Sequence, residues 1–117
     1  MKNTILKSME KESLQLILSE GAYFEGELRF KGLARVAGQI KGEIKGEGRL
    51  IIESTAQVSA NIITDHLILR GNLSGKVKAR KTVFMEPPAK FSGEVFCPSL
   101  SIKEGVLFEG SSKRSFS

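Results

Sequence analysis

Apolar residues recur along this chain in one fixed order about every 17 positions, and that register constrains the fold more than any other feature. An apolar-x-small step appears at Phe24-Glu25-Gly26, Ile40-Lys41-Gly42, Val58-Ser59-Ala60, Leu73-Ser74-Gly75, Phe91-Ser92-Gly93 and Phe108-Glu109-Gly110. Successive apolar members lie 16, 18, 15, 18 and 17 residues apart. Two residues past the small residue comes a second apolar column: Leu28, Ile44, Ile62, Val77 and Val95. An alternating pair follows at Ala34/Val36, Leu50/Ile52, Leu67/Leu69, Val83/Met85 and Leu100/Ile102, with Leu16/Leu18 one step earlier. The chain therefore opens and closes on one phrase: LSEGAYFEG at 18–26 and IKEGVLFEG at 102–110 share five of nine residues.

Within each unit apolar and polar residues alternate, the two-residue period of a half-buried strand. A meander would need a turn at every reversal, yet the Asn-Gly and Asp-Gly pairs of tight hairpins are missing. Coiling the units instead places equivalent residues about 4.8 Å apart and fills one narrow core with like-on-like ladders. The expected fold is all-β: a parallel β-helix with three faces and about 5–6 turns of roughly 17 residues, over 15–111. Residues 1–14 are expected to form a flexible amino-terminal tail and 112–117 a carboxy-terminal one. The corner before the first face is long in LSEGAYF, IESTAQV, MEPPAKF and IKEGVLF and short in VAGQI and LRGNL, as a solenoid tolerates. Pro87, Pro88 and Pro98 fall in corners, where no ladder hydrogen bond is lost. The small residues at 26, 42, 60, 75, 93 and 110 are read as marking a narrowing of the inner space beside a bend. Spacing alone leaves the hand of the helix open.

Composition agrees with one globular domain. The chain has 117 residues, 40% hydrophobic and 26% charged, too apolar for disorder and too short for two cores. Twelve glycines and no Trp favour turn-rich β structure. A single cysteine excludes an internal disulfide framework and suits a reducing compartment. No apolar run approaches the length of a membrane-spanning helix, and MKNTILKSMEKES has no apolar signal core or cleavage site. A cytoplasmic location is expected.

The segments FEGELRFKGLARVAGQIKGEI, VSANIITDHLILRGNLSGKVKA and FSGEVFCPSLSIKEGVLFEG resemble the bactofilins, bacterial cytoskeletal proteins, over about residues 16–112. The resemblance implies a right-handed parallel β-helix that polymerises without nucleotide into non-polar filaments, head to head and tail to tail. It also implies a scaffold for cell shape or localised assemblies. Cell-wall or morphogenesis proteins are then expected as partners, with peripheral attachment at the inner membrane through a short amino-terminal tail. The tail here, MKNTILKSMEKES, is short and mildly amphipathic.

Chemistry independent of the resemblance points the same way. An open β-helix end exposes unpaired backbone and a slice of core, and burying one large apolar side chain contributes about 1.5–3 kcal/mol. Contact residues are expected at Leu16, Leu18 and Tyr23 at one end and Val106, Leu107 and Phe108 at the other. Tails folded back as caps are the alternative.

Two lateral surfaces stand out. Net charge is +5, and Arg29, Lys45 and Lys78 stack as a basic row on the second face, suited to phospholipid headgroups, acidic partners or phosphates. A solvated face that resists aggregation is the simpler reading of the same row, and no motif for base recognition accompanies it. On the third face Ile51, Ile68 and Phe84 point outward as an apolar stripe, a candidate for seating the tail, bundling filaments or touching membrane.

No catalytic constellation, cofactor motif or metal set is found. His66 follows Asp65 in a corner without a second ligand, and Cys97 falls on an inward column beneath Ala79, an inert core thiol. Glu25, Glu27, Glu43, Glu94 and Glu109 point outward on the first face without a cleft, and Gly46-Glu47-Gly48 leads into no helix. Two other function classes are weighed. A basic β-helical adaptor would bind membrane or acidic partners. A hexapeptide-repeat acyltransferase would show a steady six-residue step, where the steps here run 4, 6 and 6 or 4, 6 and 8. The sequence favours a non-enzymatic scaffold.

Overall fold

A computed structural model describes residues 16–114, and in it every strand pairing is parallel and joins one turn to the next. The elements are β1 (Leu16–Leu18), β2 (Tyr23–Val36), β3 (Gln39–Ile52), β4 (Gln57–Leu69), β5 (Asn72–Met85), β6 (Lys90–Phe96), β7 (Ser99–Ile102) and β8 (Leu107–Lys113). The sheet runs β1-β2-β3-β4-β5-β6-β8, with β7 beside β5. Each of β2 to β5 is one bent ribbon that travels round a whole turn, whereas β6 and β7 share a turn broken at Cys97 and Pro98. The result is a parallel β-solenoid of about six turns, as the repeat predicts. The expected tail over 1–14 lies outside the described residues.

Register reproduces the sequence columns. Phe24, Ile40, Val58, Leu73, Phe91 and Phe108 stand in one line. Leu16, Ala34, Leu50, Leu67, Val83 and Leu100 stand in another on the third face. Ile44, Leu50, Ile52, Leu67, Leu69 and Val77 have no exposed surface, because each is covered by its equivalents above and below as well as across the core. At the last turns Phe91 and Phe108 stack with ring centroids 5.3 Å apart and planes inclined by 17°.

The small-residue column has a different cause from the narrowing expected. Gly42, Gly75, Gly93 and Gly110 all have φ between 131° and 144°, which L side chains rarely adopt. A Cβ there would strike the carbonyl oxygen of the residue one turn back: Gly26, Ala60, Gly75 and Gly93 respectively. The bend brings neighbouring turns together backbone to backbone, so the constraint lies between turns and not inside the core. Ala60 holds its place in this column, in register with Gly42, without a positive φ.

Corner lengths also follow the sequence. The long corners close as turns in which Ala22, Ala56, Ala89 and Val106 donate their N–H groups to the carbonyls of Ser19, Glu53, Glu86 and Lys103, at 3.0–3.3 Å. In the short corners Gly38 and Gly71 pass directly over the turn before, at a separation that leaves no room for a Cβ against the carbonyls of Ser19 and Glu53.

The corner between the second and third faces varies by one residue, which shifts the register after Lys45 and after Thr64. In the shorter turn Asp65 makes good the loss. Its Oδ2 accepts the Gly48 N–H at 3.0 Å and its Oδ1 accepts from Arg80 at 3.0 Å, while the fully buried Thr64 hydroxyl donates to the Gly48 carbonyl at 3.3 Å. Asp65→Ala strands that N–H, an expected loss of about 1–3 kcal/mol and a Tm lower by roughly 4 °C or more. Asp65→Asn keeps an acceptor and should lose less; thermal unfolding at fixed protein concentration compares the two.

Candidate assembly surfaces

The solenoid has two ends and three flanks, and they differ in chemistry. At each end the outermost strand has no partner on its outer side among the described residues: β1 and the first half of β2 at one end, β7 and β8 at the other. These edges carry unpaired N–H and C=O groups, which are templates for another chain.

The apolar surface of the two ends is unequal. At the amino-terminal end Leu16, Leu18, Leu28 and Phe30 are all buried, the last with its ring laid over Gly46, and the small Ala22 and Phe24 are half-buried. At the carboxy-terminal end Leu100, Val106 and Phe108 are half-buried and Ile102 is 40% exposed. Open core is thus concentrated at the carboxy-terminal end. Ser112 stands there in the column that is apolar in every turn before it, so the open slice is confined to the first and third faces.

Of the six end residues expected from sequence, Leu16, Leu18 and Phe108 point inward and Val106 closes the last corner against the core. Tyr23 and Leu107 share an outward column with Gln39, Gln57, Asn72 and Lys90. The Tyr23 hydroxyl donates to Glu25 Oε1 at 2.8 Å, and Leu107 is 59% exposed. Ile102, absent from that expectation, belongs to the open slice. Its signal was its place in the Leu18–Val36–Ile52–Leu69–Met85 column.

The third face carries Ile51, Ile68 and Phe84 in direct register, each half-buried. A ladder of ions edges the stripe: Arg35 to Glu53 at 3.0 Å, Arg70 to Glu53 at 3.4 Å and to Glu86 at 2.6 Å. The Lys103 ammonium sits 5.8 Å from the centre of the Phe84 ring. The Glu86 hydrogen bond raises the Arg70 pKa further, so this bridge stays charged across the neutral range. His66 stands in register with Arg49 where the corner after Asp65 leads into this face, its Nδ1 2.8 Å from the Thr82 hydroxyl.

The second face is cationic. Its outward column reads Arg29, Lys45, Ile63, Lys78, Phe96, Lys113, so the basic row of Arg29, Lys45 and Lys78 is interrupted by Ile63 and continued by Lys113. Together with the adjoining corner the surface holds Arg29, Lys31, Lys45, Arg49, Lys78, Arg80, Lys81, Lys113 and Arg114 against two acids, Glu47 and Asp65. Arg29 pairs with Glu27 at 3.1 Å, Lys45 reaches Glu27 and Glu43 only at 3.8 and 3.9 Å, and Arg80 holds Asp65. Lys31, Arg49, Lys78, Lys81, Lys113 and Arg114 have no carboxylate within 4.0 Å among the described residues. The first and third faces carry more acids than bases, so the positive excess has one side.

Groups with enzymatic potential are scattered. Among the described residues no three of His, Cys, Asp and Glu come together as a metal site. Cys97 is buried, hydrogen-bonded to the Ser99 carbonyl at 3.4 Å, and burial pushes its thiol pKa up, away from the reactive thiolate. A shallow depression on the first face is floored by Ser59, Ser74 and Ser92. No helix among the described residues is long and apolar enough to cross a membrane.

A stacked parallel sheet with strand edges unpaired at both ends among the described residues defines a β-solenoid class of protein. The chain belongs to the bactofilin family, described as polymer-forming cytoskeletal, whose model matches residues 16–113. It is similar to Bactofilin BacO of Myxococcus xanthus (strain DK1622), 23% identical over 94 residues, 80% of this chain and 75% of that one. Bactofilin BacP of the same organism is 28% identical over 75 residues, 64% of this chain and 31% of the relative. No solved structure gives a significant match. The family is one of structural, cytoskeletal proteins, and its polymer-forming character supports self-association.

Proposed function

We propose that this protein forms filaments by end-to-end stacking of its solenoids, without nucleotide, and serves as a cytoplasmic scaffold for cell shape or a localised assembly. The observation that carries the reading is the core slice left open at Leu100, Ile102, Val106 and Phe108, beside unpaired strand edges at both ends. Four apolar side chains per copy, at about 1.5–3 kcal/mol for each fully buried, are enough to hold two ends together after the cost of association. One apolar end favours an isologous contact, carboxy-terminal end to carboxy-terminal end, in which each copy presents the same patch. A second contact at the amino-terminal ends then yields a filament without polarity.

Negative-stain electron microscopy of the purified full chain without ATP or GTP tests this. Long thin filaments are the expected result. Uniform trimers would point to the acyltransferase architecture, and monomers at high concentration would sink the assembly reading.

A further inference from the structure

We infer that the cationic second face is a docking surface for an anionic lipid bilayer, separate from the ends through which copies join. Nine cations stand against two acids on this face and its corner, and six of the nine have no carboxylate partner among the described residues. A structural use for these charges would pair them, as Arg35, Arg70, Glu53 and Glu86 are paired on the third face. Lys31, Arg49, Lys81, Lys113 and Arg114 are exposed instead and Lys78 is half-buried beside Phe96, on one side of a molecule whose other flanks together carry more acids than bases.

The shape of the face selects the partner. Its cations spread in two directions, along the axis from Arg29 to Lys113 and across the corner to Lys31 and Lys81, with open depressions among Arg29, Lys31, Lys45 and Arg80 and among Lys45, Lys76 and Lys78. A planar array of phosphates meets all of them at once, while a nucleic-acid duplex would meet a single line. Phe96 lies amid the lysines, with the ammonium groups of Lys76 and Lys78 each 5.9 Å from its ring centre. An aromatic ring ringed by lysines suits the headgroup layer, where amphipathic rings and cations both find partners. The other two faces are directed away from the bilayer by their acids. One protomer offers only a weak, salt-screened attraction. A filament repeats the face at every copy and turns it into avid binding; that gain, unlike the face itself, rests on the assembly proposed above.

Co-sedimentation of the full chain with phosphatidylcholine vesicles, with and without phosphatidylglycerol, tests the inference, with filaments scored in parallel by microscopy. Binding is expected only with the anionic lipid, released by high salt, and weakened about tenfold or more in Lys78→Glu/Lys81→Glu with filaments intact. Lys41→Glu/Lys90→Glu makes the same change of charge on the first face and should bind as before. Arg29→Glu/Lys45→Glu repeats the test two turns away, should the first pair disturb folding. Undiminished binding of both second-face variants, equal loss in the first-face control, or tighter retention on duplex DNA than on anionic vesicles would each overturn it. Failure here with filaments present would leave the assembly reading standing.

Discussion

Phe108→Arg is expected to abolish filaments while leaving a folded solenoid no larger than a dimer. Phe108 is inward on the last turn, half-buried, and stacked on Phe91, so one of its faces already belongs to the core and the other is open. In a stacked end that open face would be covered by a second copy. Replacement removes the apolar contribution of about 1.5–3 kcal/mol and sets a guanidinium in the contact, where an unpaired charge costs several kcal/mol more. At an isologous contact the lesion occurs twice. A loss of about 5 kcal/mol would weaken association by roughly 10³-fold or more.

The monomer should survive, because turns of a solenoid contact only their neighbours and damage to the last one does not propagate. Far-ultraviolet circular dichroism should therefore keep its β signal while sedimentation velocity shows small species. Leu107→Arg is the control. It lies next in sequence, in the same turn, but projects outward with 59% exposure and should polymerise as before. Filaments of Phe108→Arg that matched the wild type would mean that the carboxy-terminal end is not where copies meet. Loss in both variants would mean that added charge on the last turn, and not the core slice, decides assembly.

The contrast between these neighbours shows what was legible from sequence. The period of two along each strand and of about 17 between turns by itself places Phe24, Ile40, Val58, Leu73, Phe91 and Phe108 in one column. Corner lengths were equally readable, because an insertion shows directly as a longer interval. Tyr23 and Leu107 stand on the end turns, but the same alternation sends them outward. Burial at the amino-terminal end was not legible either, since Phe30 reaches over Gly46 and such a lean has no signature in spacing. The charge of the second face was half visible. Arg29, Lys45 and Lys78 fell into one row, whereas Lys31, Arg49 and Lys81 join them only once the corner folds.

Gly93→Val should be among the most damaging single changes in the solenoid, and its cause lies between turns. Gly93 has φ 142°, and a Cβ there would run into the carbonyl oxygen of Gly75. The colliding partner is backbone in a hydrogen-bonded ladder, so relief requires the turns to part along β5 and β6. Backbone strain of about 1–3 kcal/mol adds to broken ladder bonds of about 1 kcal/mol each, which brings the expected loss to about 4 kcal/mol or more, in the exceptional range for one substitution. Gly21 separates the two effects. Its φ of 88° is likewise one that side chains rarely adopt, yet a Cβ there meets nothing within 4 Å. Gly21→Ala should therefore show only the conformational strain, and Gly93→Ala that strain plus the collision. Thermal unfolding of the pair at one protein concentration measures the difference. A Tm for Gly93→Ala well below that of Gly21→Ala would locate the constraint at the inter-turn carbonyl. Equal values would mean that the turns can part at little cost and that the glycine column answers to conformation alone.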